Sequence, residues 1–139
     1  MKDSLYYNDP YPGDKGANDS VRKALIVDDE SDICYLLSSI LKQVNIQPVF
    51  AGTISEAEQA LNSSQSFCYV FLDNHLPDGF GINHIKKWKE HYPSIHLIMI
   101  TAQDSDNERQ TATTEGADHF ISKPFSKETI LNTVVQTLC

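Results

Sequence analysis

The sequence predicts an α/β domain with a parallel sheet, and two observations support this. Short apolar runs of strand length alternate along the chain with segments whose apolar residues recur at helical spacing. The run Phe67–Leu72 is apolar throughout, which is typical of a central strand buried on both faces. The 139 residues are enough for one domain with a hydrophobic core.

Two strand–helix units are predicted in the first half of the domain. Ala24–Val27 is the first strand, and Ile46–Ala51 is the second. Pro48 places the second strand at a sheet edge, because a central strand could not lose that N–H donor. Thr53–Glu56 reads as a capping box that opens a helix ending near Asn62. The helix between the strands has Ser31 as its predicted N-cap, and its apolar face comprises Ile33, Leu36, Leu37, Ile40, Leu41 and Val44.

Three more units follow, beginning with the Phe67–Leu72 strand and a helix from about Gly81 to His91. The next strand is predicted over Ile95–Ile100, and the last over Asp118–Ile121. Between these two strands lies a fourth helix, opened by Ser105 and ended by Gly116, with little apolar surface beyond Ala112. The fifth helix is capped by Ser126, and its predicted buried face comprises Ile130, Leu131, Val134, Val135 and Leu138.

The order of the strands follows from these units. Right-handed crossovers place helices on both faces of a parallel sheet. An edge second strand and a central third strand predict a flavodoxin-like, doubly wound (βα)5 fold with strand order 2-1-3-4-5. That order brings the ends of strands one, three, four and five to one edge, where the chain has Asp28, Asp29, Asp73, Thr101 and Lys123.

This group of side chains predicts a metal site. Neighbouring carboxylates raise one another's pKa, and a divalent cation removes that conflict. Oxygen ligands supplied by few protein groups suit Mg2+. Each residue alone has an ordinary explanation as a helix cap, a turn residue or an exposed loop lysine. Their predicted convergence at one edge is what indicates a site.

Composition narrows the classes of partner. The formal charge of -8 argues against direct nucleic-acid binding and favours a cationic partner surface or a bound cation. No apolar run reaches the length of a membrane span, so we expect no membrane association. Residues 1–21 are polar and without periodicity, and we predict a flexible N-terminal tail there, with the folded domain over 22–139.

The chain has three cysteines, Cys34, Cys68 and Cys139, without metal-type spacing. Cys34 and Cys68 fall within apolar patterns and are predicted to be small core residues. An odd cysteine count in an acidic chain fits a reducing cytoplasm, which is the predicted location.

Four segments, in order and at the expected separations, resemble the receiver domain of bacterial two-component response regulators. The resemblance runs from about Arg22 to Leu138. The segments are Leu25–Glu30 (LIVDDE), Leu72–Gly81 (LDNHLPDGFG), Ile98–Ala102 (IMITA) and Lys123–Phe125 (KPF).

The resemblance implies how the acidic site is used. Asp73 would be the phosphoacceptor, taking the phosphoryl group from a phosphohistidine of a histidine kinase or a phosphotransfer protein. Asp29 would bind Mg2+ directly, Asp28 mainly through water, and the backbone carbonyl of His75 would complete the protein ligands. Lys123 would pair with Asp73 and then with a phosphoryl oxygen.

The resemblance also implies a switch. Thr101 would hydrogen-bond a phosphoryl oxygen, and Phe120 would be the aromatic rotamer switch behind it. His75 and Gln103 occupy the positions that tune dephosphorylation in this family. The output face would comprise the fourth helix, fifth strand and fifth helix.

The implied activity is signalling, with no catalysis beyond self-catalysed phosphoryl acceptance and autodephosphorylation. An output domain or effector protein would receive the signal, and a phosphorylation-dependent dimer is compatible with the family.

Three other functions stay open on the sequence. A Mg2+-dependent aspartyl phosphatase of the haloacid dehalogenase type would need an acid at position 75, where the chain has His75. A flavodoxin-like electron carrier would need a Ser/Thr-rich loop in place of Asp28-Asp29-Glu30. A receiver-shaped binding module that takes no phosphate is the third.

Overall fold

Five parallel strands form the central sheet of the protein. The computed structural model describes residues 21–102, 105–137 and 139. The strand order is β2-β1-β3-β4-β5, as predicted, with Pro48 on the edge strand. The strands are β1 (Arg22–Val27), β2 (Ile46–Ala51), β3 (Tyr69–Leu72), β4 (His96–Thr101) and β5 (His119–Ser122).

Helices cover both faces of the sheet, which confirms the doubly wound fold class. Alternate residues of β1 point to opposite faces, so Leu25 and Val27 join one buried cluster and Ala24 and Ile26 another. The first cluster includes residues of α2, α3 and α4, and the second includes residues of α1 and α5. The helices are α1 (Ser31–Lys42), α2 (Ile54–Leu61), α3 (Ile85–His91, after a 3-10 turn over Gly81–His84), α4 (Asp106–Glu115) and α5 (Lys127–Gln136).

Three of the four predicted N-caps form. The side chains of Thr53, Ser105 and Ser126 each accept a hydrogen bond from a backbone N–H in the first turn of their helix. The prediction for Ser31 is wrong, because Ser31 is the first helical residue and Glu30 precedes it with an extended backbone. The Asp28 carboxylate accepts a hydrogen bond from the Glu30 N–H at 2.9 Å.

The predicted buried face of α5 is partly wrong. Ile130 and Val134 are buried, but Val135 is 72% exposed. One helical residue is a rotation of about 100°, so the residue after Val134 points well away from the sheet. Leu138 lies outside the described side chains, as do the tail residues 1–20 and Gln103.

The cysteines agree with the prediction in part. Cys68 is buried in the core, as predicted, but it also forms a disulfide with Cys139 across 71 residues of chain, which was not predicted. Cys34 is a free thiol that donates a hydrogen bond to the Asp28 carbonyl oxygen. No pattern in the sequence predicts the pair, because only the return of α5 along the sheet brings Cys139 to the start of β3.

No helix in the described ranges is long and apolar enough to cross a membrane.

Candidate functional site

Asp28 and Asp73 lie side by side because they follow adjacent parallel strands. Val27 and Leu72 are register partners, and the Asp73 N–H donates to the Val27 carbonyl at 2.9 Å. Asp28 and Asp73 are buried and Asp29 is exposed. One carboxylate oxygen from each of the three lies within 4.8 Å of the others. The predicted convergence of the three acids is therefore present.

Lys123 brings a positive charge into this acidic cluster. Its Nζ lies 2.7 Å from Glu30 Oε1, 2.8 Å from Asp28 Oδ2 and 3.5 Å from Asp73 Oδ1. The side chain is only 9% exposed. Lys123 thus pairs with Asp73, as predicted, and lies closer still to Asp28 and Glu30. Glu30 was missed because its position before α1 suggested only a helix-end role.

The electrostatics of the cluster leave negative charge in excess. Burial, followed by the neighbouring Asp28 charge, raises the pKa of Asp73 from 3.8 to about 6 despite the nearby ammonium. Burial alone would lower the pKa of Lys123, but hydrogen bonds from Lys123 to Asp28 and Glu30, with the Asp73 charge, raise it above its usual value. Lys123 therefore stays protonated, while the buried carboxylates remain short of positive charge.

The excess negative charge fits a divalent cation. Asp28, Asp29 and Asp73 offer oxygen ligands close together, which is the donor set that Mg2+ prefers. A cation there would offset both the burial and the Asp28 charge that raise the pKa of Asp73. These three residues are the ones that could hold it.

Thr101 closes the neighbouring side of the site. It is the last residue of β4 and is fully buried, and β4 pairs with β3 through Leu72 and Met99. The Lys123 N–H donates to the Thr101 carbonyl at 2.9 Å, which fixes the start of the Lys123 loop against β4. The Lys123–Pro124 peptide bond is cis. An open cleft at this edge is lined by Asp29, Glu30, Ser31, Asp32, Ile33, Ala102, Lys123 and Pro124.

Phe120 lies on β5 and is partly buried against the α2–α3–α4 face of the core. The Arg109 guanidinium of α4 lies 4.7 Å from the centroid of its ring. Arg109 also donates a hydrogen bond to Ser122 Oγ at 3.3 Å. Ala112 is the one buried residue of α4, so these contacts carry much of its attachment to β5.

Hydrogen bonds from backbone N–H groups within the loop hold the segment that follows Asp73. The Asn74 N–H donates to Asp73 Oδ1, and the buried Asn74 side chain accepts from the Ile82 N–H, both at 2.9 Å. The Gly81 N–H donates to the Asn74 carbonyl. A Cβ at Gly81 would overlap the Asp73 carbonyl oxygen, so this close approach requires glycine.

Asp78 ties the same loop to α2. Within the loop, His75–Leu76 and Gly79–Phe80 form a short antiparallel hairpin. The Asp78 carboxylate accepts hydrogen bonds from the Ile54 N–H at 2.8 Å and the Ser55 N–H at 3.0 Å, at the positive end of α2. These donors, the Ile54 N–H first, hold the pKa of Asp78 below its usual value.

Asn74 and Asp78 were not predicted to have a role. Their letters fall in a Pro- and Gly-containing loop, where Asn and Asp usually serve the turn itself. The His75 side chain is exposed, and its ring lies edge-on to Phe80 with 5.4 Å between centroids.

Comparison with known proteins agrees with this geometry. The family model described as the response regulator receiver domain matches residues 24–135. The chain belongs to the response regulator receiver domain family. Receiver domains are signalling domains, so this assignment places the chain among signalling proteins rather than conventional enzymes.

Individual relatives give the same assignment. The receiver domain is 34% identical over 112 residues to the phosphate regulon transcriptional regulatory protein PhoB of Escherichia coli, covering 79% of this chain and 48% of PhoB. The chain thus spans about half the length of this curated relative.

Two solved structures are also similar. A CheY-like receiver domain protein from Methanospirillum hungatei aligns with a TM-score of 0.78 and 26% identity, over 84% of this chain and 93% of that one. The beryllofluoride-activated NtrC4 receiver domain dimer aligns with a TM-score of 0.76 and 38% identity, over 81% and 93%.

Proposed function

We propose that this receiver domain accepts a phosphoryl group on Asp73 from the phosphohistidine of a histidine kinase or a phosphotransfer protein. One observation carries the proposal: the Asp73 carboxylate lies at the carboxyl end of the central strand, beside two other carboxylates and 3.5 Å from the Lys123 ammonium. A nucleophilic oxygen there has charge partners for the group it would receive.

The transfer step balances without a further reactant. A carboxylate oxygen of Asp73 attacks phosphorus, and the bond from phosphorus to the imidazole nitrogen breaks. The bonding electron pair stays on that nitrogen, and because the other ring nitrogen of the phosphohistidine carries a proton, the donor histidine leaves as a neutral imidazole. Hydrolysis later regenerates the carboxylate, when water attacks phosphorus and inorganic phosphate leaves.

Asp28, Asp29 and Asp73, with the backbone carbonyl of His75, would hold Mg2+ in this receiver domain. When bound, Mg2+ supplies positive charge that offsets the negative charge gathered on the transferred group. Lys123 supplies a second positive charge next to Asp73. Its Asp73 contact of 3.5 Å is the longest of its three, and a movement toward a phosphoryl oxygen would exchange part of its shorter contacts with Asp28 and Glu30 for the new one.

The proposal is tested by intact-mass analysis after incubation with acetyl phosphate and Mg2+. We expect wild type to gain the mass of one phosphoryl group and Asp73→Asn to gain none. Asp106→Asn, which removes an exposed carboxylate of α4, is the matched control and should be modified like wild type. Modification of Asp73→Asn, or none in wild type while the fold is intact, would contradict the proposal.

The signal would leave through Thr101 and Phe120. A phosphoryl dianion would draw in the Thr101 hydroxyl, and Phe120 would turn into the space behind it. A charge-assisted hydrogen bond contributes about 1.5–3 kcal/mol, and reversing a 1:99 equilibrium takes about 5.5 kcal/mol, so two or three such bonds suffice. Turning Phe120 would break its contact with Arg109 and release α4 from β5.

Hydrogen exchange of the α4–β5–α5 face tests this switch. We expect exchange of α4 to change on phosphorylation of wild type, and to be unchanged on phosphorylation of Phe120→Ala. Both proteins must be phosphorylated to the same extent for the comparison. An equal response in Phe120→Ala would contradict the role of Phe120.

We expect the receiver domain to lie in the cytoplasm, where the histidine kinase or phosphotransfer protein would reach it. Its formal charge of -8 suits a basic docking surface on that donor. His75 and Gln103 would tune hydrolysis of the phosphoryl group. The output would pass to an output domain, an effector protein or a second phosphorylated copy.

A further inference from the structure

The disulfide between Cys68 and Cys139 joins two functionally different parts of the chain. Cys68 immediately precedes β3, the strand that ends at Asp73, and Cys139 follows α5. The Cα atoms are 5.6 Å apart, which is within the usual range for native disulfides. The backbone therefore allows the bond in the folded protein without rearrangement.

The two cysteines differ in exposure. Cys68 is 5% exposed, whereas Cys139 is exposed. An external thiol or disulfide can therefore reach Cys139 first, and Cys68 reacts only within the protein. The third cysteine, Cys34, does not compete for this pairing, because it contacts the Asp28 carbonyl at the end of β1, whereas Cys68 contacts Lys23 at the start of the same strand.

Among the described residues, hydrogen bonds and packing also hold the end of α5. The buried Tyr69 hydroxyl lies 3.2 Å from the Val134 carbonyl oxygen and 3.3 Å from that of Thr137, at the end of α5. It has one proton to share between them. Arg22 donates to the same hydroxyl at 3.3 Å. Without the disulfide, this shared hydrogen bond, the hydrogen bonds that the Thr137 hydroxyl donates to the Thr133 and Val134 carbonyl oxygens, and local packing would hold the last turn.

We propose that Cys68 and Cys139 form a reversible thiol–disulfide site that locks the end of α5 to the central strand. Its co-reactants are low-molecular-weight disulfides and thiols. In the closing direction, the Cys139 thiolate attacks a small disulfide and displaces one thiolate. The Cys68 thiolate then attacks the Cys139 sulfur and displaces the second, so two protein thiols lose two electrons and one small disulfide gains them.

The site would act on the output side of the receiver domain and not on phosphoryl acceptance. Cys68 and Asp73 lie at opposite ends of β3, so opening the disulfide changes the end of the sheet far from the acidic cluster. Opening it would loosen the end of α5, which belongs to the proposed output face.

Intact-mass analysis in glutathione buffers tests the chemistry. Full-length wild type equilibrated with oxidised glutathione should lose the mass of two hydrogens, and peptide mapping should find Cys68 joined to Cys139. Cys34→Ser, which keeps a hydroxyl donor to the Asp28 carbonyl, should behave like wild type. The proposal would be overturned if Cys68 and Cys139 both remained free thiols in the oxidising buffer. A disulfide that involves Cys34, or one that joins two chains, would overturn it as well.

Hydrogen exchange and thermal unfolding test the lock. Reduction of the disulfide should lower the unfolding temperature of wild type by about 5–15 °C. The same reducing treatment should leave the unfolding temperature of Cys139→Ser unchanged. Exchange at the end of α5 should be at least roughly tenfold faster in reduced wild type and in Cys139→Ser than in the oxidised protein. Identical exchange in all three would overturn the lock.

Measuring the phosphorylation of Asp73 by acetyl phosphate distinguishes failure of this proposal from failure of the proposed function. The extent of phosphorylation should be equal in oxidised wild type and in Cys139→Ser. Strong dependence of phosphorylation on the disulfide would contradict the independence of the two ends of β3.

Discussion

Asp73 lies in an environment that disfavours its own charge. Its pKa is raised to about 6, mainly by burial and then by Asp28, and the Lys123 ammonium offsets this only in part. In the unfolded chain the carboxyl regains a pKa near 3.8. Between these two values the folded state binds more protons than the unfolded state, so stability falls as the pH rises.

Replacing Asp73 should therefore stabilise the protein without Mg2+. The stabilising contribution of protonated Asp73 is full below pH 3.8 and is lost as the pH passes about 6. A shift of this size corresponds to about 3 kcal/mol, so we expect Asp73→Asn in EDTA at pH 7.5 to raise the free energy of unfolding by about 1–3 kcal/mol. Urea unfolding at several pH values measures it.

The difference between Asp73→Asn and wild type should shrink as the pH falls toward 4. Asp106→Asn, at an exposed carboxylate, is the control and should track wild type. A less stable Asp73→Asn at pH 7.5, or a difference independent of pH, would show that the buried charge is not the cause.

The contacts of Lys123 mark the limit of prediction at this scale. The sequence placed Asp28, Asp29, Asp73 and Lys123 at one edge, and the structure brings them together. The sequence alone could not predict that Glu30 would contact Lys123 at 2.7 Å. Which of several nearby carboxylates an ammonium contacts depends on differences of a few tenths of an ångström, which sequence spacing does not determine.

At the scale of elements, the loop that follows Asp73 depends on α2 for its position. The Asp78 carboxylate accepts hydrogen bonds from two N–H groups at the start of α2. Within the loop, the Asn74 side chain accepts a hydrogen bond from the Ile82 N–H. Thr53 caps α2 separately by accepting from the Glu56 N–H. The start of α2 thus has its own cap and also serves as an anchor for the neighbouring loop.

Removing that anchor should weaken Mg2+ binding while the fold is retained. In Asp78→Ala the loop loses its tie to α2, and the backbone around His75 becomes less well fixed beside the carboxylates. We expect a roughly tenfold loss of Mg2+ affinity, which is typical for residues that orient metal ligands. Isothermal titration calorimetry with Mg2+ measures this affinity.

Thr53→Ala is the matched control for Asp78→Ala. It removes a cap of α2, at a cost of about 1 kcal/mol, but leaves the Asp78 tie in place. It should keep wild-type Mg2+ affinity. Equal losses of affinity in the two variants would mean that α2 stability, and not the loop anchor, controls the site.

The errors at this scale have specific causes. Ser31 was predicted as a cap because it is a good capping residue, but the chain enters α1 one residue earlier, with Asp28 bonding the Glu30 N–H. Val135 fits an apolar helical face, yet lies on the exposed side of α5. Spacing identifies a helix reliably, but its boundary and the width of its buried face depend on what packs against it.

For the whole molecule, topology was the most predictable feature and the disulfide the least. Pro48 at an edge and an all-apolar central strand were enough to order the sheet, because few connections satisfy both. The partner of Cys68 lies 71 residues away, and nothing local to either cysteine encodes that distance. The order of strands follows from local patterns, whereas this bond follows only from the completed fold.

Mg2+ should stabilise the folded receiver domain as a whole, because the three carboxylates come together only when β1 and β3 pair. A ligand of the folded state alone adds about 2.7 kcal/mol at one hundred times its dissociation constant. For a domain of this size that corresponds to a rise of about 10 °C in unfolding temperature. Differential scanning calorimetry in Mg2+ and in EDTA, at matched ionic strength, measures the rise.

Two variants distinguish binding at the carboxylates from general screening of the charge of -8. Asp29→Asn removes an exposed carboxylate of the cluster and should lose most of the Mg2+ effect. Asp106→Asn makes the same change of net charge away from the cluster and should keep the Mg2+ effect. Since both variants lower the net negative charge equally, an equal rise in both would mean that Mg2+ acts by screening, and the metal site would have to be abandoned.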